Sequence, residues 1–269
     1  MRSWGPDDKE RDMRHIPYRI SLARFILMGS LSLAAFAARA AEMPKDFVYL
    51  RDIDPTILQD MRYAGPGNFT GKKAPGYEAA ECVLVRQAAE ALKAVQADLR
   101  SKGLSLRVYD CYRPARAVAA FVDWAKQPDD PKAKAFYYPM IPKSALIPDY
   151  IAPRSGHSRG ATVDLTLVPL NAALDAPASA NKAAPCTAPK SERSPGDSLD
   201  MGTSFDCFDA KAALSASNVA AEQHANRAML NEVMRAHGFK DYSPEWWHFT
   251  LENEPYPDTV FDFPILPRQ

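Results

Sequence analysis

Residues 155–167 read SGHSRGATVDLTL, and this stretch decides how the rest of the chain is interpreted. It begins among small and polar residues around His157 and continues into an apolar run that contains Asp164. The run predicts a strand from Thr162 to Val168. A carboxylate within an apolar strand must be ion-paired, hydrogen-bonded or bound to a metal. A buried ion pair with an arginine is therefore the alternative to a metal for Asp164.

His157 and Asp164 are seven positions apart, so on an uninterrupted strand their side chains would face opposite sides. They can meet at one ion only if the chain turns between them. Gly160 makes a turn at residues 158–160 plausible, because glycine adopts backbone conformations that other residues avoid. The sequence therefore predicts a turn followed by a strand.

A second stretch, EWWH at residues 245–248, opens a predicted strand from Glu245 to Leu251. Glu245 and His248 are three positions apart, so a strand needs a bend or bulge before both face one centre, whereas a helical turn would not. With His157 and Asp164, His248 completes two imidazoles and one carboxylate. This donor set suits Zn²⁺ with a fourth position open for water. We expect one zinc ion per chain.

Glu245 is predicted to be the catalytic base rather than a fourth ligand. The two tryptophans beside it would keep its surroundings apolar and raise the pKa of its carboxyl group. An exposed strand glutamate is the alternative. The chain has five histidines. His15 lies in the leader, and His224 and His237 lie on a predicted helix, where we interpret both as structural.

Arg113 follows a predicted strand at residues 104–109 and precedes Pro114. A guanidinium group there could stabilise the oxyanion that forms when water attacks a carbonyl group. The alternative is a structural ion pair between Arg113 and Asp110.

The remaining pattern favours an α+β fold, because predicted helices and strands do not alternate regularly. Helices are predicted at residues 84–101, 115–126 and 219–237, from apolar residues at three- and four-residue steps and from flanking Gly and Pro residues. Residues 128–154 are interpreted as a long irregular connection, and residues 171–200 as a surface insertion rich in Ala, Pro, Ser and Lys.

Residues 1–40 have the layout of a secretory signal peptide: basic residues, an apolar run and a small-residue cleavage site at residues 38–40. The run is short for a membrane span of about 20 residues, although an uncleaved anchor remains the alternative. We expect an exported, most simply periplasmic, domain at residues 41–269, with no stable membrane association after cleavage. The formal net charge is zero, which gives no electrostatic support for a nucleic-acid partner.

Four cysteines follow the leader, and an exported chain permits disulfides among them. Sequence alone leaves three complete pairings open. We favour Cys186–Cys207, because this pair brackets the insertion. The alternative is four buried free thiols.

Together these motifs resemble the D-alanyl-D-alanine dipeptidases of the VanX type. The resemblance spans roughly residues 47–264 and keeps the family's order of segments. Besides the two stretches above, it rests on YDCYRP at 109–114, RYA at 62–64 with NFTG at 68–71, MG at 201–202 with FD at 205–206, and EPYP at 254–257 with FDFP at 261–264.

The resemblance implies a single compact α+β domain around a mainly antiparallel sheet flanked by helices, related to zinc D,D-carboxypeptidases and the hedgehog signalling domain. It implies zinc hydrolysis of D-alanyl-D-alanine and related small dipeptides, linked to peptidoglycan metabolism. The roles that it implies are zinc ligation by His157, Asp164 and His248, acid–base catalysis by Glu245, and transition-state stabilisation by Arg113. It also implies that Tyr63 and Asp206 hold the substrate's ammonium group and that Ser155 lies near the substrate backbone.

Two alternatives stay open at this point. One is a zinc D,D-carboxypeptidase or endopeptidase that acts on peptidoglycan stem peptides through an open cleft. The other is a non-catalytic zinc-binding recognition module, which would be expected to lack Glu245 or Arg113. The chain departs from the family pattern in a longer insertion after Asp164 and in the sequence GPG at residues 65–67. The insertion bears on the rim of the predicted pocket and GPG on the loop after Tyr63, and both could shift substrate preference.

Overall fold

The computed structural model describes residues 42–173, 184–193 and 198–268. The predicted leader at residues 1–40 and part of the predicted insertion at residues 171–200 lie outside the described residues. The helices are α1 (Leu50–Ile53), α2 (Arg86–Ser101), α3 (Ala115–Ala125), α4 (Pro131–Tyr137), α5 (Lys190–Arg193) and α6 (Ala221–Ala236). Within the described ranges, no helix has both the length and the apolar character needed to cross a membrane.

The strands form one central sheet and one small sheet. They are β1 (Phe47–Tyr49), β2 (Leu58–Gln59), β3 (Val83–Val85), β4 (Leu104–Asp110), β5 (Thr162–Pro169), β6 (Phe239–Tyr242) and β7 (Glu245–Leu251). The central sheet has five strands in the order β2-β4-β5-β7-β6. Only the pair β2–β4 is parallel, and the other neighbours are antiparallel. The predicted α+β fold with a mainly antiparallel sheet is therefore confirmed.

Helix α2 packs on the sheet through the apolar face that its sequence predicts. Leu92, Val95 and Leu99 are fully buried on this face, and each such side chain contributes about 1.5–3 kcal/mol on burial. Gln96 lies among them and is also buried. Its amide donates to Ser105 Oγ at 2.9 Å and accepts from the Leu106 backbone N–H at 2.9 Å, so the helix is fixed to β4 by hydrogen bonds as well as by packing.

Two register shifts interrupt the sheet. In β4, Val108 pairs with Leu165 and Asp110 pairs with Asp164, so Tyr109 is an extra residue. Between β6 and β7, Asp241 pairs with Phe249 whereas the next residue, Tyr242, pairs with Glu245. Such irregularities change the direction in which neighbouring side chains point. The second one is the bulge that the sequence required if Glu245 and His248 were to share a strand and a site.

The interpretation of residues 128–154 as wholly irregular is wrong, because α4 lies within this segment. Asp130 begins the helix: its carboxylate accepts hydrogen bonds from the N–H groups of Lys132 at 2.9 Å and Ala133 at 3.3 Å. Pro131 occupies the first turn, where its missing N–H has no cost. An Asp-Pro start is a recognised helix signal, and the proline-rich composition obscured it. The other predicted helices and strands are confirmed within a few residues at their ends.

All four cysteines of the described chain are paired, so the alternative of free thiols is wrong. The favoured bond between Cys186 and Cys207 forms, and a second bond joins Cys82 to Cys111. On chain-entropy grounds, each bond stabilises the folded chain by about 3 kcal/mol. Within the described part of the predicted insertion, Cys186 and Arg193 are buried, so this segment contributes to the folded interior.

Candidate metal centre and active site

Three acidic or basic side chains lie side by side across the middle of the central sheet. Asp164 on β5 pairs with Asp110 on β4 at one side and with His248 on β7 at the other. The bulge at Tyr109 aligns Asp110 with this row. The sheet therefore supplies a fixed line of three polar groups, and Asp110 and Asp164 are almost completely buried.

His157 enters the same region from the 3-10 turn Gly156–Arg159 that precedes β5. Ser155 caps this turn, because its side chain accepts a hydrogen bond from the His157 backbone N–H at 3.3 Å. Gly160 ends the turn with φ at 82°, a conformation that favours glycine. The turn predicted between His157 and Asp164 is thus present, and it brings both side chains to one side of the sheet.

The orientation of the His157 ring is set by the backbone of Cys111. His157 Nδ1 lies 2.7 Å from the Cys111 carbonyl oxygen, which can only accept a hydrogen bond. Nδ1 therefore carries the proton, and Nε2 keeps a free lone pair. Such a backbone partner is typical of histidines that bind a metal.

The three predicted ligands converge. His157 Nε2 lies 3.3 Å from Asp164 Oδ1 and 3.4 Å from His248 Nδ1, and His248 Nδ1 lies 3.0 Å from Asp164 Oδ1. Asp164 Oδ1 is buried but accepts no hydrogen bond. Burial also lowers the pKa of His248, although Asp164 opposes this effect, and so favours the neutral imidazole that a metal requires. An unpartnered buried carboxylate oxygen beside two imidazole nitrogens fits a divalent cation.

His157, Asp164 and His248 form a cluster of possible metal ligands whose donor atoms lie within 4.8 Å of one another. It is the one such cluster of three or more His, Cys, Asp or Glu side chains among residues 42–173, 184–193 and 198–268. The donor set of two nitrogens and one oxygen suits zinc better than magnesium or calcium, which prefer oxygen ligands. His237 lies elsewhere and pairs with Asp98 at 2.7 Å, consistent with a structural role.

Glu245 lies beside this cluster and is buried rather than exposed. Its Oε2 atom is 3.7 Å from His248 Nδ1. Burial raises the pKa of Glu245 well above its usual range, and the charges of Asp164 and Asp206 add to the rise. A carboxyl group with a raised pKa is suited to receive and return a proton near neutral pH.

Arg113 forms the ion pair with Asp110 that the sequence suggested, and it also lines the cavity. Its Nε and Nη2 atoms lie 2.9 and 2.8 Å from Asp110 Oδ2, and Nη2 lies 3.7 Å from Asp164 Oδ2. Its guanidinium carbon lies 4.9 Å from the centre of the Tyr63 ring. The two interpretations of Arg113 are therefore compatible, since the ion pair holds the guanidinium group at the site.

Tyr63 and Asp206 also line the cavity. The Tyr63 hydroxyl donates to both carboxylate oxygens of Asp206, at 2.9 and 3.1 Å. Burial raises the pKa of Asp206 to about 7, Asp164 adds to this rise, and the Tyr63 hydrogen bond opposes it. Asp206 has φ at 59°, a left-handed conformation rare in non-glycine residues. A buried carboxylate without a basic partner in contact is suited to receive a cationic group.

All the site residues predicted from sequence line a single cavity of about 200 Å³. They are Tyr63, Arg113, Ser155, His157, Asp164, Asp206, Glu245 and His248. Typical ligand pockets hold roughly 300–1,000 Å³, so this cavity suits a small substrate. Sequence reasoning missed part of its rim, which includes Asp149, Tyr150 and Arg154. It also treated Asp110 only as a partner for Arg113, although Asp110 lies 3.3 Å from His157 Nδ1 and accepts from the Tyr77 hydroxyl at 2.6 Å.

Comparison with known proteins matches the chain to a family model described as D-Ala-D-Ala dipeptidase, a peptidase family, over residues 43–176 and 169–266. The chain belongs to this family. It is similar to the D-alanyl-D-alanine dipeptidase of Streptomyces coelicolor, with 39% identity over 83% of this chain and 100% of that protein. Enzymes of the same name match from Enterococcus faecium, at 36% identity over 81% of this chain and 98% of that protein, and from Escherichia coli, at 31% over 77% and 84%.

Membership explains why motifs far apart in the sequence meet in one cavity. The matched segments include the turn with His157, the strand with Asp164, and the EWWH stretch at residues 245–248. A member of a peptidase family is a hydrolase, and the site contains groups that suit peptide hydrolysis: three side chains that could hold a metal, a buried carboxyl group and a guanidinium group.

Proposed function

We propose that this chain hydrolyses D-alanyl-D-alanine and related small dipeptides to free D-amino acids, in a metal-dependent reaction. The observation that carries the proposal is the convergence of His157, Asp164 and His248 beside a buried Glu245 in a cavity of about 200 Å³. The names of the similar proteins support the substrate.

We further propose that the ion is Zn²⁺, held by His157 Nε2, Asp164 and His248 Nδ1. Bound there, it would supply a Lewis acid for the scissile carbonyl group and would lower the pKa of water. The Cys111 carbonyl keeps His157 in the tautomer that leaves Nε2 available. The lowered pKa of His248 favours the neutral imidazole that a metal requires.

Glu245 moves the proton in the proposed reaction. Its carboxylate accepts a proton from the attacking water and then donates it to the nitrogen of the leaving amino acid. The raised pKa of Glu245 suits both transfers. Arg113 stabilises the negative charge that develops on the carbonyl oxygen, because its guanidinium group faces the cavity and is held in place by Asp110.

Asp206 and Tyr63 select the substrate at its amino end. The Asp206 carboxylate would pair with the free ammonium group, and the Tyr63 hydroxyl keeps that carboxylate in position. A longer peptide presents an uncharged amide at this point and would leave the buried carboxylate without a partner, at a cost of roughly 1–3 kcal/mol. Ser155 lines the same cavity and is placed to contact the substrate backbone.

Hydrolysis and metal analysis of the purified protein test these proposals together. We expect one equivalent of zinc per chain, cleavage of D-Ala-D-Ala, and little cleavage of an acetylated tripeptide or a peptidoglycan stem fragment. Cleavage of the blocked tripeptide alone would refute the dipeptidase and favour the D,D-carboxypeptidase. Zinc binding without cleavage of any substrate would favour the recognition module.

We also propose that residues 1–40 direct export and that the enzyme acts in the periplasm. The basic and apolar pattern of the leader supports this, and two disulfides in the folded chain fit an oxidising compartment. Cell fractionation, with N-terminal sequencing of the recovered protein, tests it. We expect the mature chain to begin at about residue 41, and recovery of the intact chain in the cytoplasm would contradict the proposal.

A further inference from the structure

A free dipeptide carries a charge at each end, and the residues described so far account for only one of them. Asp206 is suited to the ammonium group, but the C-terminal carboxylate also needs a partner. Cavities that bind small charged molecules fix their orientation with a few well-placed polar groups. Two arginines line the cavity, Arg113 and Arg154.

Arg113 already pairs with Asp110 and has a proposed role at the scissile carbonyl group. Two of its nitrogen atoms lie within 2.9 Å of Asp110, and a third interaction places Nη2 at 3.7 Å from Asp164. It also lies over the rings of Tyr63 and Phe121. In the proposed reaction this guanidinium group faces the carbonyl oxygen of the scissile bond, so the C-terminal carboxylate needs a second cation.

Arg154 is free to bind. It is exposed at the rim of the cavity and forms no ion pair or hydrogen bond with any described residue. It immediately precedes Ser155, whose side chain caps the turn that carries His157. The backbone at Arg154 is therefore anchored next to the proposed metal centre, while its long side chain is exposed.

The other charges that line the cavity are acidic. Asp164, Asp206 and Glu245 lie inside, and Asp149 is exposed at the rim near Arg154 in the sequence. Asp149 carries the same charge as an incoming carboxylate, so a cation at the rim would favour binding of that carboxylate. Because Asp149 forms no ion pair with a described residue, the rim presents one unpaired charge of each sign.

We propose that Arg154 binds the C-terminal carboxylate of the dipeptide and so makes this enzyme selective for substrates with a free C-terminus. The inference rests on the proposed function and adds a specificity-determining residue to it. An arginine suits this task, because its planar fork can donate two parallel hydrogen bonds to a carboxylate. Arg154 is exposed and Asp206 is buried, and both line the same cavity.

The test compares D-alanyl-D-alanine with its C-terminal amide, which keeps the ammonium group and the scissile bond but lacks the carboxylate charge. We expect the wild-type protein to prefer the acid by roughly tenfold in kcat/KM, a modest factor because Arg154 is exposed. Arg154→Gln should lose this preference through slower cleavage of the acid, with cleavage of the amide unchanged. Arg154→Lys should restore part of the preference for the acid. Added salt should reduce this preference in the wild type and in Arg154→Lys, which keep a positive charge at residue 154, but not in Arg154→Gln.

Arg100→Gln is the matched control, because it removes an exposed arginine from α2 and does not line the cavity. An acid-to-amide preference that is the same in Arg154→Gln and wild type would overturn the inference and leave the proposed function intact. Equal losses on both substrates would also overturn it, since they would indicate a structural role. Failure of the wild-type protein to cleave D-Ala-D-Ala would instead overturn the proposed function, and the inference with it.

Discussion

Glu245 and Asp206 are two buried carboxyl groups in one cavity, and burial is the main cause that raises the pKa of each. Their neighbours give them different tasks. Glu245 lies 3.7 Å from His248 Nδ1, whereas Asp206 accepts a hydrogen bond from the Tyr63 hydroxyl. At the residue scale, the chemistry of each group follows from what it touches.

Replacing Glu245 separates catalysis from metal binding. Glu245→Gln keeps the size of the side chain but cannot accept a proton, so kcat should fall by roughly 10²- to 10⁴-fold. Zinc content should not change, because His157, Asp164 and His248 remain. Kinetics and metal analysis on the same sample check this. Loss of the metal would show that Glu245 is a ligand and that its proposed role is wrong.

Replacing Asp206 should raise the stability of the folded chain and lower its activity. Because its pKa is raised to about 7, the folded chain holds a proton that the unfolded chain releases. This group therefore lowers stability progressively as the pH rises from the unfolded pKa of about 4 to 7. Asp206→Asn removes the titration, and asparagine tolerates the left-handed backbone. We expect the free energy of unfolding of Asp206→Asn, measured in urea at pH 8, to exceed that of the wild type by on the order of 1–3 kcal/mol. Near pH 4 the two proteins should differ little.

The same variant should lose at least tenfold in kcat/KM for D-Ala-D-Ala, because a neutral amide pairs poorly with ammonium. Tyr63→Phe provides the comparison: it removes the hydrogen bond but keeps the Asp206 charge, and should reduce activity less. Equal stability of Asp206→Asn and wild type at pH 8 would contradict the argument from burial.

At the scale of elements, the turn between His157 and β5 is the most constrained piece of the site. Gly160 ends it with a positive φ, and a methyl group at this position would overlap the buried ring of Phe47. Val85 also donates its backbone N–H to the Gly160 carbonyl at 2.8 Å, which ties the turn to β3. Geometry and packing thus both require glycine.

Gly160→Ala should therefore cost more than backbone strain alone. We expect a loss of about 2–4 kcal/mol, the sum of strain at positive φ and overpacking against Phe47. Gly103→Ala is the matched control, since Gly103 has φ at 75° but open space around it, and should cost only about 1 kcal/mol. Urea unfolding measures both. Equal losses would mean that Phe47 moves aside easily.

Sequence predicted these elements well where a local pattern determines them. The apolar spacing of α2 and the β-prone run of β7 give their limits to within a few residues. The sequence required a bend or bulge near Glu245 and His248 without locating it, and it did not predict the shift at Tyr109. Both shifts depend on which strands pair. Arg154 was missed for a similar reason: only the folded chain places it at the rim of the cavity.

At the scale of the whole molecule, each disulfide ends beside a part of the site. Cys111 supplies the carbonyl that orients His157, and it is bonded to Cys82. Cys207 follows Asp206 directly and is bonded to Cys186 in the predicted insertion. The two bonds therefore lie beside two different parts of the site, a proposed metal ligand and the proposed substrate-binding carboxylate.

Removing the bonds one at a time should separate metal binding from substrate binding. The double change Cys82→Ala and Cys111→Ala should weaken zinc binding by roughly tenfold, as loss of ligand orientation does elsewhere. The double change Cys186→Ala and Cys207→Ala should instead raise KM for D-Ala-D-Ala with the metal retained. Zinc titration and steady-state kinetics give the two readouts. Identical effects of both variants would indicate a general loss of stability.

The bond beside Asp206 has a consequence for when the enzyme becomes competent. A nascent polypeptide whose thiols are still reduced would hold Asp206, the carboxylate proposed to bind the ammonium group, loosely and would be a poor peptidase. Activity would then mature only after oxidation, which would spare the dipeptide pools of the compartment where the chain is synthesised.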